Sequence, residues 1–243
     1  MKFYIFLCII IILTCSIVFC DSSDDGIMPF YKLTFDYGVQ DFNFNTLKYY
    51  MNFGIGFETT ITKKICILTK WSWLWGSPEE ILLEQWLKGR LGASYILHGK
   101  NKLYEYKSKS EYSGMRTRTA TVNFIHSLDI GIDMQYGPNA MESFSNEDII
   151  IPEDDINLLF YTGYRFQKLY LTFAQPYDSF TVWARGIIGY KNNYDWAGNN
   201  ELQIQYGGRI GIKYYIFTGE ITYINNELSF YLGVYLQTAW AKK

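Results

Sequence analysis

The chain has 243 residues, a formal net charge of −2 and a sequence pI near 5.8, a balance that excludes the basic footprint of a nucleic-acid binder. Tyr 22, Phe 17 and Trp 7 stand against only five prolines, and aromatic residues suit pleated strands. Hydrophobic content is 49% while mean hydropathy is only −0.08, as expected where apolar and polar residues alternate.

The chain opens with Met1-Lys2 and an apolar run from Phe3 to Phe19. One early cation, an apolar stretch and small residues near its end form an export signal over residues 1–20. Val18 and Cys20 then occupy the −3 and −1 positions of a cleavage site, and Asp21 starts the mature chain; Thr14-Cys15-Ser16 is a second site. Two alternatives stay open: the run is retained as an anchor, or Cys20 is the lipidated cysteine of a lipoprotein. The acidic and serine residues after Cys20 favour lipidation, while Phe19 sits where such signals want a small residue. Cys8, Cys15 and Cys20 lie in this segment, so Cys66 is left alone and the mature chain has no intramolecular disulfide. No N-x-S/T sequon is present.

Along the remainder, residues 21–243, period-two alternation dominates. The runs read as strands are 30–38, 47–58, 61–73, 89–98, 102–112, 116–125, 127–137, 157–166, 169–175, 179–191, 201–214, 215–225 and 228–240. Some neighbouring runs merge, giving eight to twelve strands. The pattern is clearest from Leu202: Leu202, Ile204, Tyr206, Ile210, Ile212 and Tyr214 share one parity, while Gln203, Gln205, Arg209 and Lys213 share the other. One face is therefore apolar and the other polar or small. Turn chemistry is read at His98-Gly99-Lys100-Asn101, at 176–179, at 191–200 and at Asn225-Asn226. Phe217-Thr218-Gly219 is an alternative turn that redraws the penultimate strands. Short connections of this kind imply antiparallel up-and-down order.

Two segments depart from alternation. Ser77 as N-cap, Pro78 at the first helical position, Glu80 in a capping box and Gly89 at the end predict a short helix near 77–88. Residues of about 138–156 carry Glu142, Glu147, Asp148, Glu153, Asp154 and Asp155 and form a long acidic loop. The sequence carries neither an internal repeat nor an interdomain linker, so one domain is expected.

The polar parity separates a soluble barrel from a membrane one. A solvated exterior is densely charged, whereas a narrow barrel's lumen holds glycine, glutamine, tyrosine and paired charges. Here that parity mixes many glycines with Asp129, Asp133, Arg165, Arg185, Arg209 and Glu220. Several strands reach the length a tilted membrane-spanning strand needs. Aromatics near strand ends (Trp71, Trp73, Trp75, Tyr136, Tyr190, Trp196, Trp240) suit interface girdles. With the terminal strand Phe230 to Trp240, the chain resembles the small outer-membrane β-barrels of Gram-negative bacteria and spirochaetes. It departs from them by adding Ala241-Lys242-Lys243 after the aromatic residue.

The resemblance implies an all-β, antiparallel up-and-down transmembrane barrel in the outer membrane, with membrane lipid and the barrel-insertion machinery as partners. The expected function is non-enzymatic, structural or surface-exposed, with a narrow pore as one form of it. Asp129, Asp133, Arg165, Arg185, Arg209 and Glu220 are expected to form charge pairs inside, because a buried charge is tolerable only when partnered. Two alternatives remain: a barrel enzyme acting on lipid or peptide, and a lipid-anchored or soluble barrel binding an apolar ligand. The catalytic reading is weak, because His126 and Asp129 have opposite parity and His126-Ser127 neighbours point apart on a strand. His98 and His126 are read as turn or lumen residues, and no cofactor or metal site is expected.

Overall fold

The computed structural model of the chain describes residues 26–43, 48–79, 82–110, 114–140, 155–171, 179–194 and 200–242. The export segment with Cys20, Trp196 and most of the acidic loop lie outside these described residues. Ten strands follow in chain order: β1 Phe30–Asn43, β2 Lys48–Thr62, β3 Ile65–Glu79, β4 Leu82–Ser110 and β5 Gly114–Ala140. Then come β6 Asp155–Leu171, β7 Phe180–Tyr194, β8 Asn200–Tyr214, β9 Phe217–Ile224 and β10 Glu227–Ala241. Each pairs antiparallel with its sequence neighbour, and β1 closes on β10 in a register running from Phe30↔Ala241 to Gln40↔Tyr231. The fold is a closed ten-stranded up-and-down barrel, which satisfies every strand edge over the closed part without a sheet boundary.

The alternation settles which face points where. Leu202, Ile204 and Ile210 are 64%, 67% and 54% exposed, while Arg209 and Gln205 of the opposite parity are buried. The apolar parity is thus on the outside and the polar parity fills the lumen. Trp71, Trp73 and Trp75 stand side by side on the outer face of β3, where Trp73 stacks on Phe53.

Three sequence expectations are corrected. The predicted helix near 77–88 is instead the β3–β4 hairpin, with Trp75↔Gln85, Gly76↔Glu84 and Glu79↔Leu82 in register. Capping signals act locally, whereas here the strand ladder continues on β4's other side through Glu84↔Ala140, and tertiary pairing overrides a weak helix preference. Pro78 falls at the register shift between Gly76 and Glu79, a position where a proline removes no ladder bond. The turn read at His98–Asn101 is a register shift between Ile96 and His98 inside β4. Consequently 89–98 and 102–112 are one strand, as are 116–125 and 127–137. Gly99 serves close approach rather than a turn, since a Cβ there would collide with Ile27. Finally, Pro138–Ala140 belong to β5 and Asp155–Ile156 to β6, which shortens the acidic loop at both ends.

Two tight turns carry positive φ. Asn225 and Asn226 both adopt it (48° and 71°), the requirement of a type I′ hairpin. The Asn225 side chain accepts from Tyr206 N and donates to Ile204 O, extending β8's ladder past the end of β9. The β8–β9 turn is at Tyr215–Ile216, not at Phe217–Gly219.

Both termini of the barrel lie at one mouth, and that mouth is sealed. Ile27, Phe30, Cys66, Ile96, Ile125, Leu169, Leu171 and Ala239 form one buried apolar cluster there. The segment before β1 is stapled across it. Asn123 Nδ2 donates to Met28 O (2.7 Å) while its Oδ1 accepts from Met28 N (3.1 Å), and Asn101 Nδ2 donates to Gly26 O (2.6 Å). The C-terminal extension joins the seal: Lys242 N donates to Pro29 O (2.8 Å), and its ammonium lies 5.2 Å from the Tyr31 ring centre.

Candidate functional site in the barrel lumen

Above the apolar seal, the inward parity of the strands assembles three charge networks. The first runs Lys32–Glu58–Arg165–Asp129–Arg185. Lys32 pairs with Glu58, Arg165 Nη2 reaches Glu58 Oε1 at 2.7 Å, and Arg165 Nε lies 3.3 Å from Asp129 Oδ1. Arg185 Nη2 reaches Asp129 Oδ2 at 2.7 Å. Asp129 also accepts from the hydroxyls of Ser94 (2.7 Å) and Ser127 (3.3 Å). Three of these contacts converge on Oδ1 and one on Oδ2, so both oxygens of this fully enclosed carboxylate are partnered, the condition under which a desolvated charge is tolerated.

The second network runs Arg90–Asp133–Arg209–Glu220. Arg90 grips Asp133 with a two-pronged contact of 2.6 and 2.7 Å, and Arg209 Nη1 reaches the same carboxylate at 2.5 Å. Arg209 Nε lies 3.1 Å from Glu220, whose other oxygen accepts from the Trp183 indole at 3.0 Å. Planar guanidinium forks matched to carboxylates give the strongest form of such pairs. The third network is Lys70–Asp36–Lys213, with contacts of 2.6 and 3.8 Å. Lys213 also sits 4.9 Å from the Tyr235 ring centre. The buried Tyr161 ring joins the first two networks, since Arg185 and Arg90 lie 4.7 and 5.4 Å from its centroid, within cation–π range.

All six residues expected in the lumen face inward, and the structure brings Asp129 together with Arg165 and Arg185, and Asp133 with Arg209 and Glu220. Sequence reading missed Lys32, Asp36, Glu58, Lys70 and Arg90, and placed Lys213 on the polar parity without naming it in a charge pair. A signal for the first two was present: Lys32, Thr34 and Asp36 alternate with Leu33, Phe35 and Tyr37. The pairing itself was not legible, because Glu58 and Arg165 are 107 residues apart. The histidines are neither at turns nor in the lumen. His126 faces outward, where its Nδ1 lies 2.5 Å from Tyr164 OH and its ring packs against Phe166 and His98. His126 and Asp129 are therefore on opposite sides of the wall.

Empty space in the lumen is stepped. A vestibule of about 400 Å³ lies at the mouth opposite the termini, lined by Tyr50, Lys191, Gln205 and Glu227 among others. Gln135 and Asn157 are shared with a cavity of about 130 Å³ bordered by Lys88, Arg90, Asp133, Arg209 and Glu220. Lys70, Arg90, Trp183 and Lys213 are shared in turn with a third cavity of about 90 Å³ nearer the seal. Glycines make room for the side chains that divide these spaces: at Gly211 a Cβ would collide with the Trp183 ring.

The fold and this lumen define the class: a closed ten-stranded β-barrel with an apolar outer wall and a packed, ion-paired interior. No family model matches the chain, and no curated protein matches it.

Proposed function

We propose that the chain is a membrane-spanning β-barrel of a bacterial outer membrane with a structural or surface-exposed, non-enzymatic role. The observation that carries this reading is the outward apolar parity. Ile130, Ile188, Ile210, Leu232 and Leu236 are among more than a score of large apolar side chains turned outward around the wall. Monomeric soluble proteins rarely leave contiguous apolar surface of more than a few hundred Å² open to water. Lipid is the solvent in which such a wall is stable and in which a closed barrel leaves no backbone group unsatisfied. The export segment over residues 1–20 and the amphipathic terminal strand that carries Trp240 near its end support delivery by the barrel-insertion machinery.

The mouth that holds both termini is read as the periplasmic one. The vestibule then faces outward. The apolar seal and the ion-pair networks favour a closed lumen over a wide channel, because a plugged interior carries no continuous water path. Heat-modifiable migration in detergent gels, with the chain recovered from the outer-membrane fraction, is the expected result. Recovery in the soluble periplasmic fraction would overturn the proposal.

A further inference from the structure

The deepest lumenal cavity is walled by cations out of proportion to its carboxylates. Lys32, Lys70, Arg90, Arg165, Arg185 and Lys213 border it, and Glu58 is the one carboxylate among its lining residues. Asp36, Asp129 and Asp133 pair with several of these cations from behind. The pairing nevertheless leaves a surplus. The first network begins and ends on a cation, and the third places one carboxylate between two ammoniums. Positive charge in excess within a low-dielectric wall is costly unless an anion joins it.

A second, independent observation points the same way. Arg185 is 4% exposed, it borders this cavity, and its Nε–H has no hydrogen-bond partner among the described residues although its Nη2 is bound to Asp129. A buried guanidinium donor left open is the exception in folded proteins. Thr34 and Thr181 also line the space, the Thr34 hydroxyl donating to Gly56 O (3.3 Å). By the measure in which one water needs about 10–15 Å³, a cavity of about 90 Å³ holds several water-sized groups, the bulk of a tetrahedral oxyanion. The cavity shares Lys70, Arg90, Trp183 and Lys213 with the middle space, which shares Gln135 and Asn157 with the vestibule, and the apolar seal lies on its far side.

We infer that this cavity is a binding site for a small tetrahedral oxyanion, phosphate or sulfate, held by the open edge of Arg185 with Lys213, Lys70 and Lys32 around it. A guanidinium fork selects an oxyanion over a spherical halide, because it can address two oxygens at once. The inference rests on the lumen alone, so it stands or falls independently of what covers the outer wall.

The test is calorimetric titration of the full refolded barrel in detergent with inorganic phosphate, with sodium sulfate, and with sodium chloride at matched ionic strength. Saturable binding of phosphate or sulfate, absent with chloride, is the expected result. Arg185→Lys keeps the charge and removes the Nε–H and the fork, and is expected to weaken binding at least tenfold. Lys213→Gln is a second variant, expected to do the same should the first not fold. The inference is overturned by no saturable signal from either oxyanion, by chloride binding equally well, or by folded variants that bind as the parent does. The same preparation run on a heat-modifiability gel reports on the membrane reading separately.

Discussion

Asp129→Asn isolates the energetic logic of the lumen. The Asp129 side chain is 0% exposed and faces Arg165 and Arg185, which are 6% and 5% exposed. At an effective dielectric of about 20, each such pair is worth on the order of 4 kcal/mol of Coulomb attraction at 4 Å. Asparagine retains Oδ1 for the hydroxyls of Ser94 and Ser127, so what is lost is the charge and the Oδ2 that accepts from Arg185. Breaking a buried pair from one side leaves an unbalanced ion, and the cost runs to about 3–5 kcal/mol. With a urea m-value of about 2 kcal/mol/M the unfolding midpoint drops by roughly 2 M. The assay is equilibrium urea unfolding of the refolded barrel, followed by tryptophan fluorescence. The double variant Asp129→Asn with Arg185→Gln removes one of the stranded cations, so it should cost less than the sum of the single changes by at least about 1 kcal/mol. A single-variant loss below about 1 kcal/mol, or strict additivity, refutes the reasoning.

On the outer wall, Ile210→Arg is expected to cost about 2–4 kcal/mol when unfolding is measured from lipid bilayers, and a change under about 0.5 kcal/mol would speak against lipid contact at that depth. In the seal, Phe30→Ala removes a side chain with no exposure and should cost about 3–5 kcal/mol; in planar bilayers it should also raise leak current above that of the parent, and equal currents would mean the seal lies elsewhere. Gly211→Ala drives a Cβ into the Trp183 ring and is expected to cost about 1–3 kcal/mol with a shift in tryptophan emission. At Gly219 an added Cβ makes ordinary contact with Leu232 at 3.4 Å, so Gly219→Ala should be within about 0.5 kcal/mol of the parent in the same urea assay.

What the sequence made legible was whatever depends on period two. Leu202, Ile204, Ile210 and Ile212 against Gln205, Arg209 and Lys213 sufficed to divide the faces, because a strand cannot turn one residue without turning all of them. Signals read over a few residues failed where long-range pairing outweighed them. Ser77-Pro78 and Glu80 form a good helix start in isolation, yet a ladder to both β3 and β4 neighbours was available there. Gly99 and Asn101 have the composition of a turn, but they lie in the β4–β5 ribbon beside the segment before β1, where Asn101 holds Gly26 O. The lumen networks were half legible. Inward parity could be assigned strand by strand, but Glu58 meets Arg165 only once the closure of the barrel fixes which strands stand opposite.

The order of the layers along the lumen follows from what each needs. Paired ions gain most from water exclusion when their geometry is complete, so the networks belong beside the apolar seal rather than at an open mouth. The seal in turn needs its backbone satisfied, which explains why Asn123, itself fully buried, is spent on both polar groups of Met28. Toward the open side the lining is of mixed charge: Lys88 stands with Asp133 and Glu220 around the middle cavity, and Lys191 with Glu227 around the vestibule. The excess of cations is confined to the deepest cavity, where Glu58 is the one lining carboxylate against six lysines and arginines. On the anion-site proposal, that excess is what gives the interior its preference for a small oxyanion.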